Sequence, residues 1–480
     1  MKNNARTVSI FIIGLSLLFG QDGFALSLSD YLGSVQKQSL NFKASDEQAE
    51  ASALKSREAD LFFSPKLFAN ARVGHDAKLS MTSTIIYDDL KMQNYSLGVS
   101  QEFRFGLQTK LSYAVDRTEI VGGVLPAGTP STFWTAAPTL EVTMPLWGNG
   151  FGRTTKATEE VTRQQNLADQ LNAESQKQTF LVGAEAAYWR LASAQEIVSV
   201  QERAVKQAQE ILNYLKRKSS MNLAEGADVL QAKASVEATT YQLTLAQNQA
   251  KAARRQFNTY LNQDAETAVP ILDTLNYDQI QQAQIPATRP GDRIDVKAAQ
   301  AQTLLAKSSS ILVSERNKPT VDVFGSYAMN GQDEKLNEAM EQAGRAKRDT
   351  AFVGVRLNVP LNLSALADAR AGAAKAELAA DYSLQYRTFA QTQDWTNLVQ
   401  QFSEAKENLR LTANIVNAQK AKLQNERTRL RQGRTTTYQV LLFEQDFSQS
   451  EVSHVQAAAQ ILGLQSQIKL YQASNLEGGK

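Results

Sequence analysis

Ten positions, apolar or weakly polar, recur twice in this chain with the same spacing, and that repetition constrains the fold more than any other feature. The first series is Val229, Ala232, Val236, Thr239, Leu243, Ala246, Ala250, Ala253, Phe257 and Tyr260, stepping alternately by three and four residues. The second is Val440, Phe443, Phe447, Ser450, His454, Ala457, Ile461, Leu464, Ile468 and Tyr471, with the same steps. A stripe repeating every 3.5 residues keeps one side of a helix against a partner along its whole length, which is a coiled-coil seam. Small residues at many of these positions predict close helix packing. One amphipathic helix in a bundle would explain one series; two in identical register imply a chain built from two structural repeats.

Each seam has a partner upstream. Leu398, Phe402, Ala405, Leu409, Thr412, Val416, Gln419, Leu423, Glu426 and Leu430 alternate by four and three, and from Ser364 to about Arg431 only Gly372 interrupts a helical sequence. At 1.5 Å per residue this predicts a rod of roughly 100 Å, too long for the core of a compact domain. Thr154 to about Ser219 is a similar stretch rich in Gln, Ala, Glu and Lys. Both rods turn back at short polar segments, 219–222 and 431–434, where Asn222 and Gly433 align and both tolerate a left-handed backbone.

Ahead of each rod the period changes to two. Leu140, Val142, Met144 and Leu146 alternate with Thr139, Glu141, Thr143 and Pro145; Val353, Val355, Leu357, Val359 and Leu361 alternate with Phe352, Gly354, Arg356, Asn358 and Pro360. These predict strands with one apolar face. Corresponding strands begin after Pro65 (Leu67, Ala69, Ala71, Val73) and Pro319 (Val321, Val323, Gly325, Tyr327). The first repeat adds Tyr95, Leu97 and Val99, then Leu107, Leu111, Tyr113 and Val115, broken at Phe105-Gly106. Phe103, Phe105, Tyr113, Phe133, Trp134 and Trp147 gather at or near strand ends, as in an interfacial girdle and as in any sheet with exposed aromatics. Four to six strands per chain cannot close a spanning barrel, which needs about eight, so either the sheet is soluble or several chains share one barrel. The seamed rods favour sharing.

Lys2 and Arg6, the apolar run Val8–Phe19 and then Gly23-Phe24-Ala25 predict a secretory signal over 1–25, with Leu26 as the mature start. The run is shorter than the roughly 20 residues that a spanning helix needs, so insertion in a membrane has to be by strands. The chain contains no cysteine, which excludes disulfides, thiolate metal sites and a lipidated N-terminal Cys. Basic and acidic residues nearly balance, 51 against 49, which gives no reason to expect a nucleic-acid partner. His75 and His454 are the only histidines: His454 occupies a seam position equivalent to Leu243 and is expected as a structural residue, His75 an exposed one near a strand end. No phosphate loop, nucleophile elbow or zinc spacing is present, so neither an enzyme nor a cofactor or metal site is expected. The polar run from Asn330 to Thr350 is expected as a mobile loop or surface helix.

The stretch Gly433-Arg434-Thr435-Thr436-Thr437-Tyr438-Gln439-Val440-Leu441, its counterpart Asn222 to Leu230 with Asp228-Val229-Leu230, the opening Arg293, Asp295, Val296, Lys297, Ala298-Ala299, and Pro319 resemble the TolC-like outer-membrane efflux protein family in order and spacing. The resemblance covers nearly all of the mature chain. It implies a mostly α fold with a membrane β-barrel segment, in which three chains share one barrel above an α-helical tunnel of twelve helical strands. It further implies a periplasmic adaptor (membrane fusion protein) and an inner-membrane pump or ABC transporter as partners, and outer-membrane lipid around the strands. The chain departs from the family at the second tip, where acidic residues are expected and Gln439 and Leu442 stand; Asp228 remains in the first, and Arg427, Arg429, Arg431 and Arg434 dominate the second. Candidate tip or gate residues are therefore Asn222, Asp228, Gly433, Arg434 and Gln439.

The expected organisation is a signal peptide (1–25), first repeat (26–261) with strands at about 65–147 and a tip at about 219–226, and an equatorial linker (262–291). A second repeat (292–473) follows, with strands at about 319–361 and a tip at about 431–435, then a tail (474–480). The expected function is a passive outer-membrane channel of a tripartite efflux or type I secretion system, its helices extending into the periplasm. The alternative is a soluble periplasmic coiled-coil adaptor or scaffold, which would lack two strand sets each feeding a long helix.

Overall fold

A computed structural model describes residues 25–78, 86–345 and 347–472; the expected signal peptide up to Phe24 and the C-terminal tail lie outside the described residues. The helices are α1 (Leu28–Gln38), α2 (Leu40–Lys55), α3 (Arg153–Ser220), α4 (Gly226–Tyr260), α5 (Tyr277–Gln282), α6 (Ile294–Arg316), α7 (Leu336–Gly344), α8 (Leu363–Arg431) and α9 (Thr437–Ile468). The strands are β1 (Lys66–Asp76), β2 (Ile86–Glu102), β3 (Gln108–Val124), β4 (Thr132–Trp147), β5 (Thr320–Met329), β6 (Gly331–Asp333) and β7 (Asp349–Asn358). The chain divides into two compact units. A helical unit holds the described residues up to Ser39, Gly183–Gln284 and Ser403–Leu464; a sheet unit holds Leu40–Val182, Ile285–Phe402 and the residues from Gln465.

In the helical unit the 3.5-residue stripes are the packed sides of their helices. Every seam position from Val229 to Tyr260 on α4 is buried or half-buried, while most of its flanking positions are exposed. The positions from Ala405 to Leu430 on α8 behave the same way, whereas α9 is packed more widely: its seam from Val440 to Leu464 is buried or half-buried, and so are most of the positions flanking it. Small residues set the closeness of approach: a Cβ built on Gly183 would lie 2.5 Å from the Tyr260 hydroxyl. Large aromatics fill the middle, where Tyr31 stacks on Phe257 with ring centroids 4.1 Å apart and lies 5.7 Å from Tyr188. The Tyr31 hydroxyl donates to the Phe257 carbonyl (3.2 Å) and that of Tyr188 to the Leu26 carbonyl (2.6 Å), so both buried phenols are satisfied. Burial pushes the Tyr188 phenol up to about 12.

α4 ends because Asn262 adopts φ 55°, and the Gln263 N–H returns to the Asn258 carbonyl (3.1 Å). The fully buried Asn258 amide then donates to the carbonyls of Asp264, Ala265 and Thr267, pinning the start of the linker. Further along, Tyr277 stacks on His454 at 4.4 Å and donates to Glu196 (2.7 Å), and Lys406 donates to the Ala283 carbonyl (2.9 Å). His454 is half-buried, with Nδ1 3.1 Å from the Thr412 hydroxyl, and burial lowers its pKa.

The sheet unit is built on a sheet ordered β1-β2-β3-β4-β5-β7, with every neighbouring pair antiparallel and β6 pairing β4 off that path. Gly106, at φ 91°, makes the turn between β2 and β3. Pro138, opposite Tyr113 of β3, stands where β4 changes partner from β5 to β6. The 330–350 segment is β6 followed by α7: a surface helix of which Ala339 and Ala343 pack against Ala136. Gly331 lies so close to the Ala339 carbonyl that no side chain fits there. Beside the sheet, Ile294, Ala298 and Ala301 of α6 pack on Ala168 and Leu171 of α3. Arg293, at the α6 N-cap, reaches Asp295 (3.0 Å) and Asp394 (2.9 Å), and its N–H meets the fully buried Gln391 (2.7 Å).

Candidate functional site

Following the antiparallel register across the sheet separates its two faces. In an antiparallel ladder, directly paired residues point to the same side. One face carries Leu67, Ala69 and Ala71 of β1, Val99, Leu97 and Tyr95 of β2, and Leu111, Tyr113 and Val115 of β3. It continues with Leu140, Val142 and Met144 of β4, Tyr327, Gly325 and Val323 of β5, and Ala351, Val353 and Val355 of β7. Its large side chains stand in solvent, Val353 at 82% and Leu67 at 74% exposure. On β4 this apolar alternation runs from Trp134 to Met144, with its Trp134–Ala136 end packed under α7 and Leu140 to Met144 left open. At the end away from the helices the face turns polar: His75 hydrogen-bonds Asp89 (3.1 Å), and Lys91 and Arg117 pair with Glu119 (3.4 and 3.3 Å).

The opposite face is polar and internally bonded. Asn70 donates to Ser96 (3.3 Å), Lys110 to Glu141 (2.9 Å), and Asp116 accepts from Asn94 and from Thr135 (3.4 Å). Its aromatic side chains lie over glycines of the neighbouring strand, Phe68 beside Gly98 and Phe324 beside Gly354, where a Cβ would collide with the ring. Phe103 and Phe105 stack at the β2–β3 turn, and Trp147 is exposed at the helix end of β4, while Phe133 and Trp134 mark its other end. Large exposed apolar surface of this kind marks a membrane or protein contact. Among the described residues, β1 and β7 each have one edge without a strand partner.

At the other functional region, in the helical unit, both tips form the same turn. The Asn222 N–H bonds to the Ser219 carbonyl (3.0 Å) and the Leu223 N–H to that of Lys218 (2.9 Å). Gly433 and Arg434 repeat this with Leu430 (3.0 Å) and Arg429 (2.8 Å). These are Schellman motifs with Asn222 (φ 55°) and Gly433 (φ 71°) in the left-handed position. The return helices start differently: Asp228 lies in the first turn of α4, favourable to the helix dipole, whereas the Thr436 hydroxyl caps α9 by accepting from the Gln439 N–H (3.3 Å). Leu212 and Leu215 of α3, Ala232 of α4 and Leu441 of α9 form one buried cluster that brings the two tips side by side. Asp228 and Arg434 are both exposed, and among the described residues no ion pair joins them.

A network that the sequence did not single out reinforces the second tip. Arg427 donates to Glu444 (2.7 Å) and to Gln207 of α3 (2.8 Å), while the buried Glu426 accepts from Arg429 (3.1 Å) and from Thr435. Burial pushes the Glu444 carboxyl up, against the pull of Arg427. The available signal was an acidic residue, Glu426, inside an otherwise apolar seam: a carboxylate there needs a partner. Among the described residues, no group of three or more His, Cys, Asp or Glu side chains is arranged to hold a metal, and no helix is long and apolar enough to cross a membrane.

The family model for outer membrane efflux proteins matches residues 106–263, which hold β3, β4, α3, the first tip and α4. A search of curated protein sequences finds no match. Among solved structures, the outer-membrane channel OprN is similar at 17% identity and a TM-score of 0.64, over 93% of this chain and 90% of that one. VceC from Vibrio cholerae is similar at 13% and 0.63, over 93% and 96%. The open state of the Neisseria gonorrhoeae MtrE channel follows at 15% and 0.63, over 92% and 88%. At these identities the likeness is one of fold. Residues 106–263 thus carry the outer membrane efflux protein family's pattern, and the chain as a whole has the fold of TolC-like outer-membrane channels.

Proposed function

We propose that this chain is one protomer of a homotrimeric outer-membrane duct, a passive conduit in a tripartite efflux system. The observation that carries the reading is the sheet: one apolar, exposed face, one polar, hydrogen-bonded face, and two open edges. Six long strands are too few to close alone, and an unpaired edge in lipid leaves backbone groups costing several kcal/mol each. Copies side by side remove the edges, turn the apolar face to lipid and enclose the polar face as a water-filled lumen. The long helices support the same assembly, because α4 leaves Leu230, Tyr241 and Leu245 exposed and α8 leaves Leu411 and Ile415, apolar surface for helices of neighbouring copies. The family resemblance supplies the number three.

Transport through such a duct is downhill, so the chain needs positioning groups and no reaction chemistry. The tips close the periplasmic end at rest, with Asp228 and Arg434 available to pair across neighbouring copies, and they are the docking surface for a periplasmic adaptor bound to an inner-membrane pump. The test is fractionation followed by mass measurement in mild detergent. The duct requires recovery from the outer membrane as a particle of three chains; a detergent-free soluble periplasmic monomer would favour the scaffold reading instead.

A further inference from the structure

Resting on that trimeric reading, we propose that all six long strands enter the barrel, that β7 of each copy pairs with β1 of the next with Leu357 opposite Leu67, and that the closed barrel has eighteen strands. Direction comes first. The six strands alternate in direction, so β1 and β7 run opposite ways and a second copy's β1 meets β7 antiparallel, as every other neighbour in the sheet does. An odd number of strands per copy would have forced a parallel join.

Register follows from the rows of the ladder. The row that starts at Lys66 passes through Ser100, Lys110, Glu141 and Ser326 and reaches Phe352. Phe352 lies six residues short of the helix end of β7 at Asn358, whereas Lys66 is itself the helix end of β1. Setting the two helix ends level therefore lifts each row by six residues per copy, one residue per strand. With about 3.3 Å per residue and about 4.8 Å between strands, that stagger tilts the strands by about 35°, within the range that closed barrels adopt. The step is also even. An odd step would turn apolar side chains into the lumen at the join, since a one-residue slip reverses every side chain.

The facing side chains suit this pairing. On the apolar face Leu357 meets Leu67, Val355 meets Ala69 and Val353 meets Ala71. On the polar face Arg356, already over the Phe324 ring at 5.0 Å, comes opposite Phe68, and Gly354 comes opposite Asn70. The β2–β3 hairpin belongs to the wall and is no appendage, because Leu97, Val99 and Leu111 are exposed on the same face as Val353 and Val355. Eighteen tilted strands give a barrel about 34 Å across between backbones, the size class that leaves an open aqueous channel.

The absence of cysteine makes the test direct. Leu67→Cys with Leu357→Cys, oxidised in native outer membranes, is expected to give covalent dimers and trimers on non-reducing denaturing gels; Leu67→Cys with Arg356→Cys, on opposite faces, is expected to give none. Fluorophores on Leu97→Cys and Leu111→Cys should be quenched by nitroxide lipids as strongly as one on Val355→Cys. A particle that is trimeric by mass yet fails to cross-link Leu67 to Leu357, or leaves Leu97 and Leu111 unquenched, overturns the eighteen-stranded wall while sparing the trimer. A particle that is not trimeric overturns the trimeric reading itself, and this inference with it.

Discussion

Replacing Gly433 tests whether the tip turn is held by backbone conformation. At φ 71° the residue occupies the left-handed region, and no atom lies within 4 Å of where a Cβ would be. A substitution there meets conformational strain and no collision. For an L-residue the strain is about 1–2 kcal/mol, at the upper end for β-branched Val. Asn tolerates the region, and the first tip already uses Asn222 at φ 55°. Gly433→Val is therefore expected to loosen the turn while Gly433→Asn stays close to the parent. An energy of 1–2 kcal/mol corresponds to roughly 5–30-fold in an opening equilibrium. Amide hydrogen exchange on the assembled particle reads this at the Gly433 and Arg434 N–H groups, which bond to Leu430 and Arg429. Exchange there should rise by that factor in the Val variant, with the α8 seam from Leu398 to Leu423 unchanged. Equal exchange in the Val and Asn variants would refute the argument.

Other perturbations follow from the same geometry. Arg427→Met strips the charge partner from Glu444, whose side chain is only 13% exposed, and should cost about 1–3 kcal/mol, between exposed and buried pairs. Because burial already raises the Glu444 pKa, thermal melts should show this loss shrinking as pH falls and the carboxyl protonates. His454 is disfavoured in its charged form, so the unfolded chain binds that proton more readily: its effect on stability is complete above the ordinary pKa of 6.5 and is lost as pH falls from there toward the lowered folded value. His454→Leu, which copies Leu243 of the first repeat, should flatten this acid slope in melting temperature, and an unaltered slope would remove the residue from the explanation. Asp228→Arg should raise single-channel conductance in planar bilayers by setting like charges against Arg434 of neighbouring tips; unchanged conductance would mean that Asp228 takes no part in closure.

What the sequence disclosed and what it hid have physical causes. Seams and strand faces are periodic, and burial enforces the period, so Val229 to Tyr260 and Leu140 to Met144 could be read directly. Asn222 and Gly433 were legible because few residue types tolerate a left-handed backbone. Strand register is different: nothing local to Lys110 indicates that it faces Glu141, and the unbroken length of β2 and β3 emerges only when their polar rows are paired. The Arg427–Glu444–Gln207 network was hidden for the same reason, joining residues far apart in sequence through helix packing. The 330–350 segment concealed a short strand because Gly331 and Ala339 meet by close backbone approach, which composition does not announce.

The most direct test of a shared barrel is a single-cysteine scan along β7, from Phe352 to Leu357, in intact outer membranes with a membrane-impermeant thiol reagent. Cysteines replacing Phe352 and Arg356, on the polar face, should be labelled, and those replacing Val353, Val355 and Leu357 should be protected by lipid. Uniform labelling along the strand would place both faces in water and contradict the barrel.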